Sequence, residues 1–107
     1  MVIKRFDVYL VKLDPTVGNE MQKTRPCVVV TPDEMNLYMA TVIVVPMTSG
    51  SRPYPSRIAS RFQDMEGQIT LDHMRSVDKL LFVKRLGRIS TAEQKDLINA
   101  LAEMFAE

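Results

Sequence analysis

The sequence predicts a mainly β fold of the α+β class, in which a small antiparallel, barrel-like sheet packs against one C-terminal helix. Short runs of β-branched and aromatic residues recur along most of the chain, and turn-forming residues separate them. Only the final stretch has the periodicity of an amphipathic helix. The chain has 107 residues, of which 46% are hydrophobic, so we expect one hydrophobic core and one domain over residues 1–107.

The predicted strands are bounded by proline, glycine and polar residues. Pro32 and Pro46 each follow a continuous apolar, β-branched run, and we expect these two core strands to end there. A single helical turn is expected between them, starting at Asp33. The predicted extended segments are residues 7–13, 27–31, 41–45, 56–60, 67–71 and 74–77, and residues 82–89 are expected to be either a strand or irregular backbone.

The C-terminal helix has a clear start signal. Ser90-Thr91-Ala92-Glu93 matches a capping box, in which the serine hydroxyl and the glutamate carboxylate each accept a hydrogen bond from the other residue's backbone amide. The helix is expected to pack against the sheet through one apolar face. That face comprises Leu97, Ile98, Leu101, Met104 and Phe105.

Two longer polar segments, residues 14–23 and 48–55, are expected to be exposed loops. Long loops often carry function. The formal net charge is only +1, so nucleic-acid affinity must come from local clusters of Arg and Lys, and binding of an extended duplex is disfavoured.

Cys27 is the single cysteine, which excludes an internal disulfide, and its apolar surroundings predict a buried, inert thiol. No apolar run approaches the roughly 18 residues that a membrane-spanning helix needs. The N-terminus lacks the apolar segment of a signal peptide. We therefore expect a cytoplasmic protein.

Three sets of segments resemble those of the PemK/MazF toxin family. The opening segments are DVYL, LDPTVGNE and KTRP, the last of which contains Arg25. The second set is VVPMTS, which contains Thr48, and the third is QI followed by LDHMRSVDK. They occur in the family's order, at matching intervals and on matching predicted strands.

This resemblance implies an SH3-like barrel of the CcdB/PemK type, a homodimer, and the toxin role in a type II toxin–antitoxin system. It also implies cleavage of single-stranded RNA (mRNA) at short sequences, by attack of the 2′-hydroxyl on the adjacent phosphate, with no metal or other cofactor. The implied partner is a cognate, MazE-like antitoxin peptide. We expect an extended acidic and apolar segment of it to occupy the loops 14–23 and 48–55.

Arg25 and Thr48 are the predicted catalytic residues. A guanidinium matches phosphate oxygens bidentately and carries a permanent charge, and a threonine hydroxyl can donate to a phosphate oxygen in the transition state. Residue chemistry alone would favour an ion pair between Arg25 and Glu20, and an ordinary turn-satisfying role for Thr48. The resemblance to the family instead favours the catalytic roles of both residues.

Further residues are predicted to bind substrate. Side chains of the two loops and of the third motif can supply donors and acceptors to unstacked bases or phosphates. For Arg75, a structural ion pair with Asp78 is an equal alternative. Arg52, Arg57 and Arg61 could bind RNA phosphates, and the alternative is that they form a solvated basic face. The predicted substrate-binding residues are Asn19, Glu20, Ser49, Asp72, His73 and Arg75.

The chain departs from PemK-like members, which carry a histidine after the loop glycine and an Arg-x-Asp pair on a later strand. Asn19, Thr70 and Asp72 stand at these positions, so a histidine-based acid–base scheme does not transfer and the MazF-like scheme fits better. The proton-transfer group is left open among Arg25, Asp72 and solvent. His73 is the only histidine, and with the sparse carboxylates this argues against a metal site.

Two alternative functions share the predicted fold. A CcdB-like toxin would bind DNA gyrase through a tryptophan-containing C-terminal tip, but this chain has no tryptophan. A catalytically silent binding module is the other alternative, and the presence of both Arg25 and Thr48 argues against it.

Overall fold

The structure, a computed structural model, describes residues 1–13, 23–49 and 57–106. Two short 3-10 turns, Leu71–His73 and Lys79–Leu81, flank one of the strands. Within this part of the chain, no helix is long and apolar enough to cross a membrane. The elements in chain order are β1 (Asp7–Leu13), β2 (Lys23–Val29), α1 (Asp33–Tyr38), β3 (Thr41–Ser49), β4 (Arg57–Phe62), β5 (Met65–Thr70), β6 (Arg75–Asp78), β7 (Phe82–Arg88) and α2 (Thr91–Phe105).

The strands form an antiparallel sheet in the order β4-β5-β3-β2-β1-β7. The central strand β3 changes partner along its length, because its first half pairs with β6 and its second half with β5. The predicted class, a mainly β core with a C-terminal helix, is confirmed. Within the described residues, backbone pairing does not join the edge strands β4 and β7 into a closed barrel. A side-chain hydrogen bond of 2.9 Å from Gln63, just beyond β4, to the Leu86 carbonyl links the two strands.

Hydrophobic clusters cover both faces of the central strands, which explains why their sequences are continuously apolar rather than alternating. Successive residues of one strand enter opposite clusters, because side chains alternate across a sheet. One cluster contains Ile3, Tyr9, Val11, Cys27, Val29, Val42, Val44, Val77 and Phe82. The other contains Val8, Val28, Val30, Val45, Ile69, Leu71, Ile89 and Leu97.

The boundaries of two core strands differ from the prediction. β2 starts at Lys23 and ends at Val29, and β3 continues through Pro46 to Ser49. The expectation that Pro46 ends its strand was therefore wrong. Proline fixes φ and lacks a backbone donor, but the Pro46 carbonyl still accepts a 2.7 Å hydrogen bond from Thr70 Oγ1. Strand β5 pairs with the residues that follow Pro46. Thr48 and Ser49 are thus strand residues rather than loop residues.

The predicted helix cap is only half formed. Ser90 Oγ accepts a 3.2 Å hydrogen bond from the Glu93 amide, as expected for an N-cap serine. The Glu93 carboxylate, however, accepts a 2.9 Å hydrogen bond from the backbone amide of Arg61. Arg61 lies on β4, the edge strand, whose outward amides have no neighbouring strand, and the glutamate satisfies one of them.

The apolar face of α2 is buried only along part of the helix. Leu97 lies in the core, and Leu101 packs at its margin. Met104 and Phe105 are 40% and 70% exposed, so the prediction that they pack against the sheet was wrong. The last turn of the helix extends beyond the core that the strands provide.

Candidate active site

The two predicted catalytic residues lie on neighbouring strands. Cys27 on β2 pairs with Pro46 on β3, which is the last pair between the two strands at this end, and Arg25 and Thr48 each lie two residues beyond that pair. Both side chains are half-buried. They line one cavity of about 300 Å³ that opens at the surface. The structure therefore brings together the pair that the sequence analysis selected, and Ser49 lines the same cavity.

A hairpin builds the opposite wall of this cavity. Strands β4 and β5 are joined by Gln63 and Asp64, whose φ angles are 51° and 63°, as in the two-residue turns of tight hairpins. Gln63 also donates a hydrogen bond to the Leu86 carbonyl of β7. Phe62 packs against Gly87 so closely that a Cβ on the glycine would be 3.1 Å from Phe62 Cζ. These contacts hold the hairpin tip against β7 and close one side of the cavity.

Most residues of this wall were missed by the sequence analysis. These residues form no polar motif that the sequence analysis could single out. Leu86 comes close to the hairpin only because distant segments of the chain meet in the fold. The one local signal was a pair of short extended segments close together, which indicates a hairpin but not what it faces. The additional lining residues are Pro26, Met47, Ser60, Phe62, Gln63, Met65, Glu66, Gly67 and Leu86.

Cys27 lies directly behind Arg25 and is chemically silent. Its side chain is fully buried, and burial raises the pKa of the thiol to about 12, although the positive charges of Arg25 and Arg75 act in the opposite direction. The Sγ atom donates a 3.6 Å hydrogen bond to the Arg25 carbonyl oxygen. The predicted buried thiol is confirmed, and Cys27 supports the backbone that carries Arg25.

Asp72 and His73 belong to a separate cluster outside the cavity. Asp72 forms a bidentate ion pair with Arg57, with Nε–Oδ1 and Nη2–Oδ2 distances of 3.2 and 3.3 Å, and His73 Nε2 lies 3.4 Å from Asp72 Oδ2. The hydrogen bond from Arg57 lowers the pKa of Asp72. A carboxylate held ionised in this way is a weak proton acceptor, which makes Asp72 an unsuitable general base.

Thr70, which stands where PemK-like members carry an arginine, has a structural role. Its side chain is fully buried, and its hydroxyl donates to the Pro46 carbonyl of the neighbouring strand. The position therefore cannot present a charged group to the cavity. This geometry agrees with the MazF-like rather than the histidine-based scheme.

The remaining predicted residues are placed as follows. Arg75 lies on β6 and is half-buried, while Asp78 Oδ1 accepts a 2.9 Å hydrogen bond from the Leu80 amide at the start of a 3-10 turn. Among the described parts of the chain, no three His, Cys, Asp or Glu side chains converge as they would around a metal ion. Asn19 and Glu20, with most of the two predicted loops, lie outside the described residues, and so does the alternative pairing of Arg25 with Glu20.

The family model of PemK-like, MazF-like toxins of type II toxin–antitoxin systems matches residues 4–105. The chain belongs to this family. Curated relatives include the endoribonuclease MazF of Staphylococcus epidermidis, 32% identical over 94% of this chain and 88% of the relative. The endoribonuclease PemK of Escherichia coli is also 32% identical, over 96% of this chain and 82% of the relative. Overall identity is thus equal for a MazF and a PemK.

Solved structures of the family share the fold. A MazE–MazF structure from Deinococcus radiodurans superposes with a TM-score of 0.84 at 21% identity, covering 97% of this chain and 96% of that one. A mycobacterial endoribonuclease in complex with its cognate antitoxin superposes with a TM-score of 0.77 at 24% identity, covering 94% and 92% of the two chains. The fold of this toxin-family member is therefore the MazF fold.

Proposed function

We propose that this protein is the toxin of a type II toxin–antitoxin pair and acts as an endoribonuclease that cuts single-stranded mRNA without a metal ion. The observation that carries the proposal is the shared cavity of Arg25 and Thr48. Its lining includes a permanent cation and a hydroxyl donor, contributed by two neighbouring strands. The curated relatives, which are endoribonucleases, support the same activity.

In the proposed reaction, the 2′-hydroxyl oxygen attacks the adjacent phosphorus and the bond from phosphorus to the 5′-oxygen breaks. The 2′-hydroxyl loses its proton, and the leaving 5′-oxygen gains one. Arg25 binds the non-bridging phosphate oxygens and stabilises the charge of the phosphorane, and Thr48 donates a hydrogen bond to the same group. The products are a 2′,3′-cyclic phosphate and a 5′-hydroxyl.

Proton transfer falls to Arg25 or to solvent in this scheme. Asp72 is excluded from that role because Arg57 holds it as an ion pair outside the cavity. Ser49 lies beside Thr48 and can contact the same nucleotide. Asp72, His73 and Arg75 are proposed to contact RNA further from the scissile phosphate, together with Asn19 and Glu20.

The proposed partners are a second copy of the chain, as in a homodimer, and a cognate antitoxin. The antitoxin complex of a mycobacterial structural neighbour supports the latter. A cavity with one arginine and several apolar walls suits a peptide that carries both acidic and apolar side chains. Because the substrate is mRNA, we place the protein in the cytoplasm.

The test is cleavage of a mixed-sequence single-stranded RNA by the purified protein in excess chelator, followed by analysis of the new ends. We expect cleavage, with a 2′,3′-cyclic phosphate on one product and a 5′-hydroxyl on the other. A 5′-phosphate end would exclude attack by the 2′-hydroxyl. Loss of activity in chelator that a divalent metal restores would exclude the metal-independent mechanism.

A further inference from the structure

We propose that the cavity beside Arg25 and Thr48 takes a single unstacked RNA base, held against Phe62 and Met65 and hydrogen-bonded by the Ser60 hydroxyl. This inference rests on the proposed function and extends it, because it assigns sequence selection to the β4–β5 hairpin. The hairpin residues that line the cavity belong to none of the three motifs that carry the family resemblance.

The walls of the cavity have the character of a stacking site. Phe62 and Leu86 form its inner side, and Met65 stands at the hairpin tip with 67% of its surface exposed. A thioether side chain adapts to flat, polarisable surfaces, and aromatic residues stack on bases of any identity. A flat base that enters between these side chains covers apolar surface that water otherwise contacts.

The floor of the cavity contains an unused hydrogen-bonding group. Ser60 is only 6% exposed, and its Oγ has no hydrogen-bond partner among the described residues. Buried hydroxyl groups are normally paired, so an unpaired one requires an explanation. A ligand that enters the cavity and meets the rotating hydroxyl supplies the missing partner.

The strand register places Ser60 on the same face of the hairpin as Phe62 and Met65. Ser60 pairs with Gly67 and Phe62 pairs with Met65, and side chains two residues apart on a strand share a face. Glu66 pairs with Arg61 and therefore lies on the other face. A hydroxyl both donates and accepts hydrogen bonds, so Ser60 can bind a polar group on the edge of the base.

The size and position of the cavity define which base it takes. A volume of about 300 Å³ is at the lower end for ligand sites, which suits one base and not a stacked pair. Arg25 and Thr48 line the same cavity, so a base inside it belongs to a nucleotide that adjoins the scissile phosphate. Recognition of unstacked bases in pockets is the usual mode for single-stranded RNA.

The experiment compares the intact protein with Met65→Ala and Ser60→Ala on a pool of single-stranded RNA that contains a randomised block. Sequencing of the products gives the base preference at each position around the cut, and kcat/KM is measured on the best sequence. Met35→Ala is the matched control, because Met35 is an exposed methionine on α1 that does not line the cavity. Thermal unfolding of each variant verifies the fold.

We expect Met65→Ala to lower kcat/KM about tenfold, within the range for loss of one base-stacking contact. Ser60→Ala should weaken the base preference at one position next to the cut by about threefold to fivefold, the effect of one lost hydrogen bond, and leave the other positions unchanged. Met35→Ala should match the wild-type protein. Unchanged rate and base preference in both hairpin variants would overturn the subsite while leaving the proposed function intact, whereas failure of the wild-type protein to cut the pool would overturn both.

Discussion

A Cβ atom on Gly67 would lie 2.2 Å from the carbonyl oxygen of Thr48 and 3.2 Å from its carbonyl carbon. The two residues lie on paired strands, where Gly67 is opposite Ser49 and Gln68 opposite Thr48. Only glycine permits this approach, because the neighbouring atoms are backbone and cannot rotate away. Gly67 therefore sets where the β3 backbone runs as it carries Thr48 into the cavity.

Gly67→Ala should lower RNA cleavage by about tenfold to a hundredfold, because displacing a catalytic group by about 1 Å is enough for such a loss. The rate is measured on one defined single-stranded RNA, alongside circular dichroism to verify the fold. Ser76→Ala, at an exposed position on β6, should cleave normally. A folded Gly67→Ala variant with the wild-type rate would show that the position of the Thr48 backbone is unimportant.

Asp72→Asn should leave the single-turnover rate at saturating RNA within about threefold of wild type, because general acid–base groups contribute on the order of a hundredfold or more and Asp72 is held by Arg57. Since the folded pKa of Asp72 is lowered, its stabilising contribution is present above the unfolded pKa and is lost as the pH falls through the folded value. The free energy of unfolding of the variant should therefore fall less steeply with decreasing pH than that of the wild-type protein. A rate loss of a hundredfold at saturation would make Asp72 the proton-transfer group after all.

Cys27 should not react with an aromatic disulfide reagent at pH 8 while the protein is folded. Burial raises its pKa to about 12 from the ordinary 9.0, so almost no thiolate is present, and the side chain is inaccessible. Because the folded pKa is raised, the associated stability is fully present below pH 9 and declines as the pH rises towards the folded value. Absorbance of the released thiolate measures the reaction, with urea-unfolded protein as the positive control; rapid labelling of folded protein would contradict the burial.

Ser90→Ala should lower the free energy of unfolding by about 1 kcal/mol, the usual cost of removing an N-cap hydroxyl. The Ser90 Oγ accepts from the Glu93 amide, and alanine leaves that amide without its partner. Urea unfolding measures the change, and Thr91→Ala, at the exposed first helical position, should be nearly neutral. Equal stabilities of Ser90→Ala and wild type would mean that water replaces the cap.

The elements that local sequence determines could be predicted. The strand over residues 7–13, the turn at α1 and the start of α2 at Ser90 each depend on neighbouring residues alone, and the structure has them as expected. The prediction that Arg25 and Thr48 belong to one site came from the family motifs rather than from residue chemistry.

The features that were missed depend on contacts between distant segments. β3 extends past Pro46 because β5 pairs with it and Thr70 bonds to the Pro46 carbonyl. Glu93 leaves the capping box because an edge-strand amide, that of Arg61, is within reach. The cavity wall forms only when the hairpin meets Leu86, and no pattern within either segment indicates that contact.

The most direct test of the central claim is single-turnover cleavage of one single-stranded RNA in chelator by Arg25→Ala and Thr48→Ala. Each variant should lose about a hundredfold or more, the effect of removing one preorganised donor to a transition-state oxyanion. Lys95→Ala, which removes a positive charge from the exposed side of α2, serves as the control and should retain the wild-type rate. If both folded site variants instead cut at the wild-type rate, Arg25 and Thr48 do not form the catalytic site.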